Sequence, residues 1–383
     1  MSELSVLKEF VRELSAPFVG REEEAEVVVL SILSKEHGIL IGEPGTAKSA
    51  IVRRAAELLN AKFFKYLLTR FTEPSEIFGP LDIKALEEGR YVRLSTGKLP
   101  DAEIAFLDEV FKANSAILNA LNTLLQERVL YDGFTELSVN LWSLFGASNE
   151  VPDDPEVESV YDRFLVRHFV RPVSEDLWSE LLKRSWAIEK EIFFNGSLHA
   201  RKLLDMNDLR KLHAILYEVD LSGVEGRLMR LFAVFESRGI HLTDRRKGKS
   251  LKLVAAKALL NGRRVALEED LMAVKYVAVR DWEDVEKVNT VLAEELKTPY
   301  KYLRDLNEIK SNLKELHNYV LSLKNIESSF VDTKFKSIAR ELEITRGKVV
   351  SIMRESQDPQ VIKAGEDVIN LINNIMELIT KRR

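Results

Sequence analysis

His37-Gly-Ile-Leu-Ile-Gly-Glu-Pro-Gly-Thr-Ala-Lys-Ser49 is the stretch that decides how this chain is read. Gly38–Ile41 is a short apolar run of the kind that forms a buried strand. Gly42-x-x-Gly45-x-x-Lys48-Ser49 follows, and then Ile51, Val52, Ala55, Ala56 and Leu59 at helical spacing. Strand, glycine-rich turn, helix is the order that phosphate binding requires. Glycines let the backbone turn sharply so that successive N–H groups converge on oxygens, and the helix N-terminus adds a favourable dipole. The expected cradle is Gly42, Glu43, Pro44, Gly45, Thr46, Ala47, Lys48 and Ser49. Lys48 is expected to reach the β- and γ-phosphates of ATP, and Ser49 to hold Mg²⁺. Ala47 replaces the usual glycine before the lysine, which alanine's tolerance of helical angles should permit. A Gly-Pro-Gly turn that merely precedes a Lys-Ser pair is the alternative.

Hydrolysis at such a loop needs acids beside it. Glu103-Ile-Ala-Phe-Leu-Asp-Glu109 reads as an apolar strand that delivers Asp108 and Glu109 to its carboxyl end, the edge at which open parallel sheets bind ligands. Asp108 is expected to serve Mg²⁺ through water and Glu109 to polarise the attacking water. Helix capping is the other use of acids at a strand end.

The chain has 383 residues, 45% hydrophobic and 31% charged, enough for two or three domains. With no cysteine, a disulfide scaffold, a thiolate metal site and a cysteine nucleophile are excluded together. The net charge of −5 does not describe a general nucleic-acid binder. No apolar run suggests a membrane span or a signal peptide, so a cytoplasmic protein is expected. Apolar runs at 38–41, 63–68, 103–107, 141–145 and 166–170 alternate with helical patterns, which argues a parallel, helix-covered sheet over residues 1–172. Residues 173–290 read as an all-helical domain with breaks at Asn195-Gly196, Ser222-Gly223 and Asn261-Gly262. In 291–383 two seams repeat in steps of three and four, Leu306 to Leu323 and Val361 to Leu378. They could pair as an antiparallel coiled arm or simply pack onto the helical domain.

Beyond single motifs, four stretches together resemble the MoxR group of AAA+ ATPases and, within it, the RavA-like branch. They are Gly42–Ser49, Phe71–Asp82, Gly97–Ala113, and Ala147-Ser-Asn149 followed by Tyr161-Asp-Arg-Phe164. The resemblance implies an α/β P-loop core with a helical lid and a C-terminal helical appendage, working as a homo-oligomeric, hexameric ring. It also implies chaperone-like remodelling of a protein partner such as a von Willebrand A-domain protein. It makes Asn149 a sensor of the γ-phosphate or attacking water, and Arg163 an arginine finger acting on a neighbouring subunit, with Arg128 and Arg167 as competitors. Arg245 becomes the lid arginine, with Arg246 as the alternative, and Val19 and Gly20 lie where the family contacts adenine. Residues 71–90 and a hairpin around Asp132-Gly133 would face the ring's pore. Their acidic balance favours a protein client over a nucleic acid.

A rival remains in Ile338–Ile352, whose Ala339, Ile344 and Val349 fit a helix-turn-helix phrase, with Thr345 as a cap and Glu343 where glycine usually stands. Residues 331–356 carry six Lys/Arg against four Asp/Glu, a weak positive balance for DNA. The six histidines show no metal-like spacing.

Overall fold

The computed structural model describes residues 4–132, 135–196, 198, 200–296, 299–323, 329–356 and 358–380. They form two compact units, residues 1–291 and 292–383. In chain order the first opens with α1 (Ser5–Ser15), α2 (Glu22–Ser34), β1 (Gly38–Ile41), α3 (Lys48–Leu58), β2 (Phe63–Leu67), α4 (Pro74–Phe78), α5 (Ile83–Glu87) and β3 (Ile104–Asp108). It continues with α6 (Ser115–Glu127), β4 (Val129–Asp132), β5 (Thr135–Ser138), β6 (Ser143–Ser148), α7 (Pro155–Tyr161) and β7 (Val166–Phe169). Helices then take over: α8 (Trp178–Asn195), α9 (Met206–Leu216), α10 (Glu225–Ser237), α11 (Asp244–Leu260), α12 (Lys275–Ala278) and α13 (Trp282–Glu295). The remainder is α14 (Pro299–Leu323), α15 (Ser329–Glu355) and α16 (Pro359–Thr380).

Five strands pair in parallel in the order β2-β3-β6-β1-β7. A parallel sheet covered on both faces needs uninterrupted apolar strands. Ile39, Leu40, Ile41, Phe106, Leu107 and Phe145 are accordingly buried. The helices start where the sequence signals them. Asn114 caps α6 by accepting from the Ile117 N–H at 3.1 Å, Asp205 and Asp208 form a capping box on α9, and three glutamates open α2, where the helix dipole favours them. Leu7, Phe10 and Leu14 form the buried stripe of α1. The hairpin expected near Asp132-Gly133 is present as the antiparallel pair β4–β5, although Gly133 lies outside the described residues.

Helix α11 is fastened to the sheet by buried charge. Arg246 donates to the carbonyl oxygens of Phe164 (2.9 Å), Leu165 (2.8 Å) and Val277 (2.9 Å), a fork that only a guanidinium can fill. Glu36, just before β1, accepts from Lys249 at 2.8 Å and Lys252 at 2.5 Å. The basic run Arg245–Lys249 forms the first turns of this docked helix.

In the second unit the two expected seams do pack together, but a third helix joins them. Leu306, Leu313 and Val320 of α14, Phe335, Ile338, Leu342 and Val349 of α15, and Val361, Val368, Ile372 and Ile375 of α16 share one core, so the unit is a three-helix bundle and not a two-helix arm. Gly365 permits the closest contact, since a β-carbon there would lie 2.5 Å from Met353 Cγ. This bundle overturns the helix-turn-helix reading. Residues 338–352 are one unbroken stretch of α15, Glu343 continues the helix where a turn was required, and Thr345 donates to the Glu341 carbonyl at 2.9 Å instead of capping a second helix. Ile344, which a motif core would bury, is 57% exposed. No helix among the described residues is long and apolar enough to cross a membrane.

His37 ties the start of β1 to β6, with its Nδ1 accepting from the Leu144 N–H at 2.9 Å. That bond requires the neutral ring. Burial first, then Arg128 and the lysines of α11, push the His37 pKa well below its ordinary 6.5. The unfolded chain then binds a proton near pH 6.5 that the folded chain refuses, so stability is complete above that pH and is lost progressively below it. Urea midpoints at about pH 7.5 and about pH 5.5 should differ less for His37→Gln than for the wild type.

Candidate nucleotide site

The loop after β1 leaves the sheet between β6 and β7. Gly42 donates to the Ser148 carbonyl at 3.0 Å, and a β-carbon on Gly42 would lie 2.2 Å from the Val170 carbonyl oxygen. Gly45 has φ +82 and open space where a side chain would stand. Ala47 is the correction within this loop. It is not at helical angles but left-handed, φ 64 and ψ 13, and it caps α3. Glycine is usual there because a β-carbon costs roughly 1–2 kcal/mol in that conformation. Among the described residues no backbone bond uses the N–H groups of Gly45, Thr46 or Ala47, which leaves them for an anion at the helix start.

Lys48 is buried and folded back on its own loop, donating to the Gly42 and Glu43 carbonyls, both at 2.7 Å, and to Thr46 Oγ1 at 3.3 Å. Burial lowers its pKa, the carboxylates of Asp108 and Glu109 oppose the shift, and Arg21 adds to it. An ammonium satisfied only by the loop's own oxygens suits a cradle made for phosphate. Ser49 receives a hydrogen bond from Lys65 of β2 at 3.0 Å. Asp108 ends β3, Glu109 follows it, and the Glu109 N–H donates to Asp108 Oδ1 at 3.2 Å. Asn149, just past β6, donates its amide to Glu109 Oε1 at 3.0 Å. Among the described residues no cluster of three or more His, Asp or Glu is arranged to hold a metal alone. A hydroxyl plus one carboxylate fits Mg²⁺, which takes few protein ligands and completes its shell from phosphate and water.

Lys48, Ser49, Asp108, Glu109 and Asn149 thus converge on the carboxyl edge of the sheet. Beside the loop lies a cleft of about 410 Å³. Val19 lines it together with Phe18 and Arg21, whereas Gly20, φ +65, makes the turn ahead of α2. The far wall is α8, through Trp178, Leu181, Arg184, Ser185 and Ile188. Sequence reasoning missed this wall, as it missed Lys65 and the pairing of Lys112 with Glu109 at 3.2 Å. The signal was a stripe of steps of three and four on a helix that buries none of its residues.

Arg163 and Arg245 do not join the loop. Arg163 precedes β7, at the amino edge, and among the described residues its guanidinium bonds the Ser159 carbonyl while its Nε is buried without a partner. Burial, with Arg245 adding, lowers its pKa, and Asp162 opposes that. Its competitors are spoken for. Arg128 donates to the carbonyls of Lys35, Leu141 and Trp142, while Arg167 lies 3.9 Å over the Tyr161 ring and pairs with Asp162 at 3.7 Å. Arg245 stands beside Arg163, 3.4 Å from both Asp162 and Gln126, and Arg246 is consumed in fastening α11.

A parallel sheet with a phosphate loop, strand-end acids and an attached helical lid defines an α/β AAA+ fold. The chain belongs to the MoxR family: residues 5–214, more than half of the chain, match the model described as the MoxR domain in the MoxR-vWA-beta-propeller ternary systems. Residues 226–292 match an AAA lid domain. An uncharacterized protein of Methanocaldococcus jannaschii is 37% identical over 98% of this chain and 99% of its own. The chaperone MoxR1 of Mycobacterium tuberculosis is 26% identical over 56% of this chain and 55% of its own. A crystal structure of a candidate ATPase from Cytophaga hutchinsonii, 19% identical, shares the fold with a TM-score of 0.62 over 76% of this chain and 94% of its own.

The glycine geometry has a direct consequence. Gly42→Ala should abolish binding of a fluorescent ATP analogue, whereas Ala47→Gly should bind it at least as tightly as wild type. Circular dichroism of both proteins checks that each folds.

Proposed function

We propose that this protein hydrolyses ATP with Mg²⁺ in a ring of its own copies and uses the turnover to remodel or activate a protein partner. The observation that carries the reading is Glu109, hydrogen-bonded to Asn149 beside Asp108 at the edge where the phosphate loop begins. Lys48 and the free N–H groups of the loop would hold the β- and γ-phosphates. Ser49 and Asp108 would hold the metal, which when bound neutralises phosphate charge. Glu109 orients and polarises a water, and Asn149 keeps that carboxylate in place. Val19, beside the turn that Gly20 makes, and the inner face of α8 take the base end of the nucleotide.

Arg163 and Arg245 stand away from their own loop, which supports a role at a neighbour's nucleotide and hence a closed ring, taken here as a hexamer. We assign the core to 1–172, the lid to 173–290 and an appendage to 291–383, with the RavA-like branch as the subfamily and the cytoplasm as its location. The matched model's ternary systems support a von Willebrand A-domain partner. The α4–α5 insertion and the β4–β5 hairpin expose Phe71, Ile83 and Tyr131, side chains suited to gripping a protein segment.

Glu109→Gln should stop hydrolysis while ATP remains bound, as read by phosphate release and nucleotide retention. Hydrolysis that survives this change removes Glu109 as the water-activating group. Mixed rings of Arg163→Ala and Lys48→Ala subunits should recover part of the activity that each lacks alone. Mixtures as inactive as the separate variants would show that Arg163 does not work across subunits.

A further inference from the structure

Glu109 is held at its backbone and at both carboxylate oxygens. Its backbone is left-handed, φ 52, a conformation that non-glycine residues keep only when their surroundings impose it. Both of its oxygens are engaged, Oε1 by the Asn149 amide at 3.0 Å and Oε2 by the Lys112 ammonium at 3.2 Å. Lys112 closes the short 3₁₀ turn Val110–Lys112, and its own N–H donates to the Glu109 carbonyl at 2.8 Å. Main chain and side chain thus tether the same two residues. Asn149 already has a place in the proposed hydrolysis. Lys112 has none.

We propose that Lys112 is a positioning residue that restrains Glu109 and keeps basal ATP hydrolysis slow. A carboxylate polarises water through the lone pairs of its oxygens, and here one oxygen faces a cation while the other faces an amide. The exposures differ in a way that suits release. The Lys112 side chain is 57% exposed and that of Glu109 20%, so an acidic group approaching from outside can draw the ammonium away without reaching the carboxylate. The proposal rests on the ATPase reading given above.

The test compares wild type, Lys112→Met, Lys112→Arg and the double variant Lys112→Met/Glu109→Gln, with kcat and KM for ATP measured on the full chain. Lys112→Met should raise kcat about two- to fivefold with KM unchanged, the size of effect an exposed ion pair of up to about 1 kcal/mol can hold back. Lys112→Arg, which restores the pair, should bring kcat back toward wild type, and the double variant should stay inactive. An unchanged or lower kcat in Lys112→Met, or a KM that moves with it, overturns the restraint while leaving the ATPase reading intact if wild type hydrolyses ATP. If neither wild type nor Lys112→Met hydrolyses ATP, both readings fall together.

Discussion

The phosphate loop leaves the sheet through a gap too narrow for a β-carbon, and the site is organised around that gap. Gly42 touches both neighbours of β1 at once, its N–H on Ser148 of β6 and its α-carbon against the Val170 carbonyl beyond β7. The loop's origin is fixed relative to the strand that carries Asn149 and to the segment entering the lid. Asp108 and Glu109 arrive from β3, on the other side of β6. Sheet register, not loop flexibility, brings the five polar groups together, and parallel pairing holds register firmly because both faces are buried.

Much of this was legible because the chemistry is local. The glycines, Lys48, Ser49, Asp108 and Glu109 lie on two strand ends that apolar runs announce, and capping residues such as Asn114 mark the following helices. What stayed hidden depends on neighbours distant in sequence. Ala47 reads as a helix start, and only the closed loop forces it left-handed. Arg245 and Arg246 are adjacent and alike in sequence, yet one meets Asp162 and Gln126 while the other vanishes among three carbonyls. Residues 338–352 satisfy a motif's apolar spacing because any amphipathic helix does. The core shared with α14 and α16 makes that spacing serve a bundle.

The fastening of α11 decides how the helical segment can respond to the sheet. Arg246 and Glu36 join it to the residues just before β7 and β1, at the amino edge, so a shift of those strands pulls on the helix through buried groups and not through a pliable surface. The same edge carries Arg163 and Arg245. Among the described residues the buried Nε of Arg163 lacks a partner, and an unmet donor of that kind costs about 1–3 kcal/mol, which favours a rearrangement that satisfies it.

The three-helix bundle closes on itself, with Leu306, Val349 and Val368 facing one another in a core of their own. A substitution in that core is answered by partners within the same ninety or so residues, while the strands that build the loop have their own set of partners. The two units of this chain can therefore drift at different rates over evolutionary time. The bundle can be reshaped, residue against residue, without disturbing the glycine gap on which phosphate binding depends.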